Sequence, residues 1–302
     1  MQTTLAPTSL ESCPPALSES EISRFRAEGY LAYRDVLNPT ELADARAALR
    51  ELTGRLATGS PEQVRYSPPR INGQGNQSGA SYQFQNSRGM MQLEAGFDPA
   101  GLGIEEIDTK VRKYMNFVSE HPAFERLVGS THRLRRVVEN LIGPDPLLFQ
   151  EMALVKPAFF GSEKPWHQDN AYFSVAPLDA IIGVWIALDD AGIDNGCMHV
   201  IPGGHQVGAL RHYHGTDCEI VEGRLDTSKA VPVPIPAGGA LFFYGLLPHE
   251  TPPNRSAQRR RALQFHFRSA TSEIVDEEAY NRIFAEMDGT PASCRAAAQS
   301  GI

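Results

Sequence analysis

Trp166-His167-Gln168-Asp169 is the stretch on which the reading of this chain turns. It opens a run, 166–173, that is apolar and aromatic enough for a β-strand. On a strand successive side chains alternate between faces, so a His and an Asp two positions apart point the same way. An imidazole nitrogen and a carboxylate oxygen so placed can bind one metal ion together. Taken alone the pair reads more readily as a solvated surface His and Asp, so a third ligand from elsewhere in the chain has to decide.

The surrounding sequence is that of an ordinary globular chain. It has 302 residues with 41% hydrophobic side chains and a formal net charge of -8. That is ample for a buried core. The negative balance argues against nucleic-acid or anionic-membrane partners, which need a basic face. Cys13, Cys197, Cys218 and Cys294 are widely scattered with no C-x-x-C spacing, so they are expected to be free thiols rather than a zinc site or a disulfide framework. The first twenty residues carry neither a basic start nor an apolar run, and no segment has the length of apolar sequence that spans a bilayer. A soluble protein of the cytoplasm, with neither nucleic acid nor membrane as partner, is the expectation. The sequence carries no signal for an oligomeric state.

Residues 1–17 are rich in Thr, Pro and Ser and are expected to form a flexible tail. Ser18 and Glu21 form a capping-box pattern ahead of a helix that Gly29 would stop. Asn38-Pro39-Thr40-Glu41 opens a second helix with Leu42, Ala45, Leu49 and Leu52 at helical spacing. Residues 58–103 are rich in Gly, Ser, Asn and Gln and are expected to be a long loop, a lid or a wall facing substrate. Helices are expected at 105–120 and 122–142. From Leu147 the pattern becomes short β-prone runs at 147–156, 166–173, 181–188, 197–201, 231–235, 240–244 and 261–268, which predicts a sandwich or barrel. A last helix is expected at 274–287, then a tail over 289–302. The expected organisation is one domain over 18–288, with a helical N-terminal part (18–146) and a β core (147–270).

Six later histidines are candidates for the third ligand: His199, His205, His212, His214, His249 and His266. His249 is best placed. It follows the apolar run Ala240 to Tyr244 and precedes a Pro/Asn/Ser turn, so it sits where a rigid strand reaches a barrel mouth. His266 lies mid-strand, as a core or supporting histidine would. His212 and His214 fall in a polar insertion (206–230) and are expected to be solvated. Two His and one carboxylate make the facial triad of non-heme Fe(II) oxygenases, which leaves coordination positions open. Eleven residues past His249, Arg260 begins a strand and could clamp a carboxylate through two parallel charge-assisted hydrogen bonds.

With these motifs in order, the chain resembles the phytanoyl-CoA dioxygenase family of the Fe(II)/2-oxoglutarate oxygenases. The resemblance rests on L-S-E-S-E-I-S-R-F-R-A-E-G-Y-L from Leu17, D-V-L-N-P-T-E-L from Asp35 and E-H-P-A-F from Glu120. It continues with Lys156-Pro157, W-H-Q-D at 166–169, G-V-W-I-A-L-D-D at 183–190 and N-G-C-M-H-V-I-P-G-G-H at 195–205, then His249, Asn254, Ser256 and Arg260. It spans about residue 17 to 268. The resemblance implies a mainly β fold with flanking helices around a double-stranded β-helix (jelly-roll, cupin-like) core. It implies Fe(II) on His167, Asp169 and His249, with 2-oxoglutarate and O2 as co-substrates. Arg260 would hold the distal carboxylate of 2-oxoglutarate, helped by Thr251, with Trp185, Lys113 (or its neighbour Arg112) and Phe149 at the same pocket.

The implied reaction is hydroxylation of a C–H bond of a small organic molecule, with release of succinate and CO2. A desaturase or epoxidase on the same scaffold, or a non-catalytic metal-binding jelly roll, is the alternative. Halogenating relatives have Ala or Gly where this chain has Asp169, so the acid favours oxygen transfer. Tyr82, Phe84, Arg88, Tyr172 and Phe173 are the candidate substrate contacts. Arg65, Arg70, Arg211, His212 and His214 either offer positive charge to an anionic substrate or are ordinary solvated side chains.

Overall fold

The computed structural model describes residues 10–71, 77–215, 217–285 and Cys294. The expected tails over 1–9 and 289–302 lie outside the described residues apart from Cys294. Residues 10–17 do not form a free tail. Leu10, Cys13 and Leu17 are buried, and Cys13 N donates to Arg34 O at 3.0 Å.

In chain order the first part comprises α1 Glu19–Glu28, β1 Tyr30–Tyr33, α2 Pro39–Thr58, β2 Val64–Ser67, β3 Arg70–Ile71, β4 Gln77–Ser78, β5 Ser81–Phe84, β6 Met90–Leu93, α3 Ile104–Asp108, β7 Val111–Met115, α4 Pro122–Val128 and α5 Arg133–Ile142. The second part comprises β8 Leu147–Lys156, β9 Lys164–His167, β10 Val175–Ala176, β11 Ile181–Ala187, β12 Met198–Val200, β13 His212–His214, β14 Cys218–Ile220, β15 Val231–Val233, β16 Ala240–Tyr244, β17 His249–Thr251, β18 Arg260–Arg268, β19 Glu273–Ile274 and α6 Glu277–Phe284.

Both predicted capping boxes form. Glu21 N donates to Ser18 Oγ at 3.3 Å, and Glu41 N donates to Asn38 Oδ1 at 3.0 Å, each with the reciprocal carboxylate bond. They fix where α1 and α2 begin by satisfying amides that have no partner inside the helix.

Two antiparallel sheets form the mainly β jelly-roll core. The larger runs β1-β16-β11-β18-β8-β7-β6-β5-β2 and the smaller β15-β12-β17-β9. Period-two alternation explains why the central strands are apolar throughout. Val184, Ile186, Ala240 and Phe242 face the helices, packing with Phe25, Leu49, Leu52 and Phe124. Trp185, Ala187, Leu241 and Phe243 face inward against Met198, Val200 and Val233 of the smaller sheet.

Three expectations change. The 58–103 segment is not one long loop, because β2, β5 and β6 extend the larger sheet and β3 pairs with β4. The 105–120 helix stops at Asp108, and β7 takes the following residues. Val111 and Tyr114 are buried while the backbone pairs with β6 and β8, so sheet pairing overrides local helix preference. The 122–142 helix is two helices, α4 and α5.

The cysteine expectation also changes. Cys218 and Cys294 form a disulfide with Cα atoms 5.2 Å apart, whereas Cys13 and Cys197 are free and buried. The bonded pair is 76 residues apart, so no local spacing announces it. No helix among the described residues is long and apolar enough to cross a membrane.

Gly183 on β11 is needed for packing. A Cβ there would stand 2.4 Å from Phe243 Cζ, and the Phe243 ring in turn packs edge-on against His249 at 4.9 Å. Gly183→Val is expected to destabilise the fold by about 1–3 kcal/mol through overpacking. A urea midpoint equal to that of the parent would contradict this packing.

Candidate metal centre

His167 is the last residue of β9 and His249 the first of β17, and the two are direct cross-strand partners in the smaller sheet. Their rings are 4.2 Å apart. Asp169 does not continue the strand as expected from 166–173. It begins a one-turn 3-10 helix, Asp169–Tyr172, and that turn swings its carboxylate back between the two imidazoles. Asp169 Oδ1 stands 3.2 Å from His167 Nε2 and 3.6 Å from His249 Nε2. Two ligands at bonds of about 2.1 Å set at right angles would be about 3 Å apart. All three side chains are buried, and they make a donor set that could hold one metal ion.

Each histidine is oriented the same way. Nδ1 of His167 lies 2.8 Å from Pro165 O, and Nδ1 of His249 lies 2.9 Å from Leu247 O. A carbonyl can only accept, so each Nδ1 carries the proton and each Nε2 offers its lone pair. Burial, reinforced by His167, pushes the His249 pKa down to about 3, which keeps that lone pair available at neutral pH. The other carboxylate oxygen, Asp169 Oδ2, accepts from Gln264 Nε2 at 3.0 Å and lies 2.7 Å from His266 Nε2. Burial alone would raise the Asp169 pKa. Nearby His249 and His266 and the hydrogen bonds from His167 and His266 outweigh it and hold the carboxyl well below its usual range.

A cavity of about 480 Å³ opens beside these residues, between the two sheets. Arg260, Thr251, Trp185 and Lys113 line it. Arg260 is 1% exposed, and among the described residues the only hydrogen bond of its side chain is a long one, Nη1 to Leu154 O at 3.3 Å. Its Nε and the Nε1 of Trp185 are buried with no partner among the described residues, and the guanidinium lies 5.2 Å from the indole ring. Burial lowers the Arg260 pKa to about 10, so it stays cationic. Buried orphan donors beside a cation fit a carboxylate ligand, which would satisfy them. Lys113 has no ion pair among the described residues, whereas Arg112 is held 3.6 Å from Asp217. Burial, with Arg112 beside it, lowers Lys113 to about 8.

The pleat sorts the remaining candidates. Phe149 does not line the cavity. It stands behind Phe173, 4.8 Å away ring to ring, while Gln150, Met152 and Leu154 of the same strand face in. Tyr82 and Phe84 also face away, into the core under α2, and Gln83 between them faces the cavity. Arg88, Tyr172 and Phe173 do line it.

Two residues matter more than their sequence context indicated. His212 is 1% exposed rather than solvated, and its Nε2 accepts the backbone N–H of Gln168 at 2.9 Å, directly between the two β9-side donors. Lys156 is buried opposite Arg260 in register and donates to the carbonyls of Ser162 and Thr251. Burial, then Arg260, lowers its pKa to about 6. The Lys-Pro motif marked the position of Lys156, but nothing local marked its depth.

Burial also pushes the pKa of His212 down to about 3, against 6.5 when exposed. Below pH 6.5 the unfolded chain therefore binds a proton that the folded chain refuses. Stability falls as pH drops from about 6.5 toward 3, by up to about 1.4 kcal/mol per pH unit from this group. Urea unfolding at pH 7 and pH 5 should show a smaller loss for His212→Gln than for the parent; an equal loss would exclude His212 as a source.

The Phytanoyl-CoA dioxygenase (PhyH) family pattern matches residues 25–262. A zebrafish (Danio rerio) protein, phytanoyl-CoA dioxygenase domain-containing protein 1, is 26% identical over 288 residues, covering 90% of this chain and 97% of that protein. Among solved structures, EvdO2 from Micromonospora carbonacea var. aurantiaca, complexed with 2-oxoglutarate, superposes with a TM-score of 0.62 at 22% identity, covering 92% of this chain and 100% of that one. The epimerase SnoN, in complex with Fe3+, alpha ketoglutarate and nogalamycin RO, gives 0.58 at 19% identity, with 91% of each chain covered. A pattern matching most of the chain, together with the His–Asp–His donor set inside a jelly roll, establishes that this chain belongs to the phytanoyl-CoA dioxygenase family.

Proposed function

We propose that this protein is an Fe(II)- and 2-oxoglutarate-dependent oxygenase that hydroxylates a C–H bond of a small organic molecule, releasing succinate and CO2. The observation that carries the reading is the pairing of two features in one cavity: a buried His–Asp–His donor set and a buried, unpaired arginine. One binds a metal through neutral nitrogens and a carboxylate; the other anchors the far end of a dicarboxylate.

His167, Asp169 and His249 would hold the iron, which when bound supplies the O2 chemistry that no side chain can perform. The protein's own work is positioning. Pro165 O and Leu247 O orient the two imidazoles, and Gln264 and His266 hold Asp169 Oδ2 so that Oδ1 alone faces the metal position. Arg260 would bind the distal carboxylate of 2-oxoglutarate, with Trp185 Nε1 and the Thr251 hydroxyl alongside. Lys113 is favoured over Arg112 at this pocket because Arg112 already has Asp217. Tyr172 and Phe173 close the side of the cavity next to His167 and His266, which limits water at the metal position.

SnoN is described as an epimerase, so inversion of a stereocentre without oxygen transfer is a second reading. Product mass separates the two: hydroxylation adds one oxygen, desaturation removes two hydrogens and epimerisation leaves the mass unchanged.

The test is Fe(II)-dependent succinate formation from 2-oxoglutarate, stimulated by components of a metabolite extract, with mass spectrometry of the product. Asp169→Ala should abolish turnover; full activity in that variant would sink the ligand assignment. Arg260→Gln should raise the KM for 2-oxoglutarate by about 10–100-fold, the worth of a charge-assisted pair, with a smaller change in kcat. An unchanged KM would remove Arg260 from the co-substrate site.

A further inference from the structure

The inward face of the larger sheet carries a straight row of side chains leading away from Asp169. Gln264, bonded to Asp169 Oδ2, is the direct cross-strand partner of Met152. Met152 pairs with Met115, Met115 with Met90, and Met90 with Gln83. All five line the cavity. Directly opposed residues share a face of the sheet, so this is a continuous floor running across five strands. Its three middle members are methionines on adjacent strands, about 10 Å from first to last at the usual strand spacing.

The edges of this floor are polar and under-used. Gln150, two residues from Met152 on the same face, has a buried Oε1 with no partner. Arg88, two residues before Met90, is exposed at the outer end, and its guanidinium makes no hydrogen bond or ion pair among the described residues. Asn116 Nδ2 fixes the Arg88 carbonyl at 3.3 Å, so the arginine is presented from a held backbone.

Resting on the function proposed above, we infer that the substrate is a flat, linearly fused multi-ring organic acid that lies on the Met90–Met115–Met152 floor with its acid group at Arg88 and its oxidised edge beside Gln264 and Asp169. Unbranched thioethers give a polarizable surface that adapts to a ring system, and sulfur contacts with aromatic rings are favourable. A rigid ring system binds without losing the rotational freedom that a flexible chain would lose. Gln83 Oε1 accepts from Arg65, Gln150 Nε2 points at Met152 Sδ (4.0 Å) and Gln264 Nε2 donates to Asp169, so the opposite ends of these amides, a donor on Gln83 and acceptors on Gln150 and Gln264, are what meets ring substituents at the edges. Arg88 selects an anion at the end remote from the metal position.

Titration calorimetry on the Mn(II)-loaded protein tests this in two stages. Binding of 2-oxoglutarate is measured first; its absence would overturn the proposed function itself. With 2-oxoglutarate bound, benzoate, 2-naphthoate, anthracene-2-carboxylate and 2-naphthamide are then compared. Affinity is expected to rise about fivefold per added ring, and the amide to bind about fivefold more weakly than 2-naphthoate. Met115→Trp should cancel the gain of the third ring by blocking the floor. Met115→Ser, which removes the thioether without adding bulk, should reduce it and serves if the tryptophan variant does not fold. Arg88→Gln should erase the acid-over-amide preference while leaving the ring series unchanged. Equal affinities across the ring series, or a ring gain that survives both Met115 substitutions, would overturn the inference while leaving 2-oxoglutarate binding intact.

Discussion

The site depends on one cross-strand registration, His249 opposite His167 in the smaller sheet. A slip of one residue would send every side chain of β17 to the other face. The two imidazoles would then no longer share a side, and Asp169 would have nothing to complete. The same registration repeats one local device twice, a carbonyl two residues upstream that holds Nδ1. Buried carbonyls and imidazoles satisfy each other there, so metal-facing lone pairs follow from ordinary hydrogen-bond accounting.

Charge in the cavity is arranged with comparable economy. Lys156 and Arg260 are direct partners across β8 and β18, an opposition that is unfavourable on a sheet unless something offsets it. Lys156 turns to the carbonyls of Ser162 and Thr251, and Ser162 in turn donates to Glu94 Oε2 at 2.8 Å. Among the described residues the Arg260 side chain is left with a single long bond and a free Nε. The result is a positive floor directed at the cavity and a carboxylate, Asp169, at the metal position, which together suit a ligand that is anionic at one end and metal-chelating at the other.

The helix caps and most of the strands from Leu147 onward were legible in the chain, because each rests on residue type at short spacing; the strand expected over 166–173 was not, since the chain turns at Asp169, and it is the fold that brings His167, Asp169 and the distant His249 together. The failures share a cause. Phe149 was placed by the resemblance and Tyr82 and Phe84 by chemical character, yet the pleat gives the cavity face to their neighbours Gln150 and Gln83. The polar composition of 58–103 reads as loop, but an existing sheet edge recruits it as strands. His212 sits in a polar insertion, and it is buried because that insertion folds back onto Gln168, whose side chain bonds Gly208 O and Leu210 N, and because Phe284 of α6 packs edge-on against the His212 ring at 6.0 Å. The Cys218–Cys294 pair joins segments with no sequence relation.

By itself, then, the sequence determined the family and the β core and singled out His167, Asp169, His249 and Arg260 as candidates, because these need only particular residues in a particular order. Which face each side chain takes, which cations keep a free hand and how deep each group lies were decided by the tertiary structure. Pairing register and burial are properties of the assembled sheets: they set the dielectric around Arg260 and Lys156, choose Gln83 over Tyr82 and align three methionines from three separate strands into one floor.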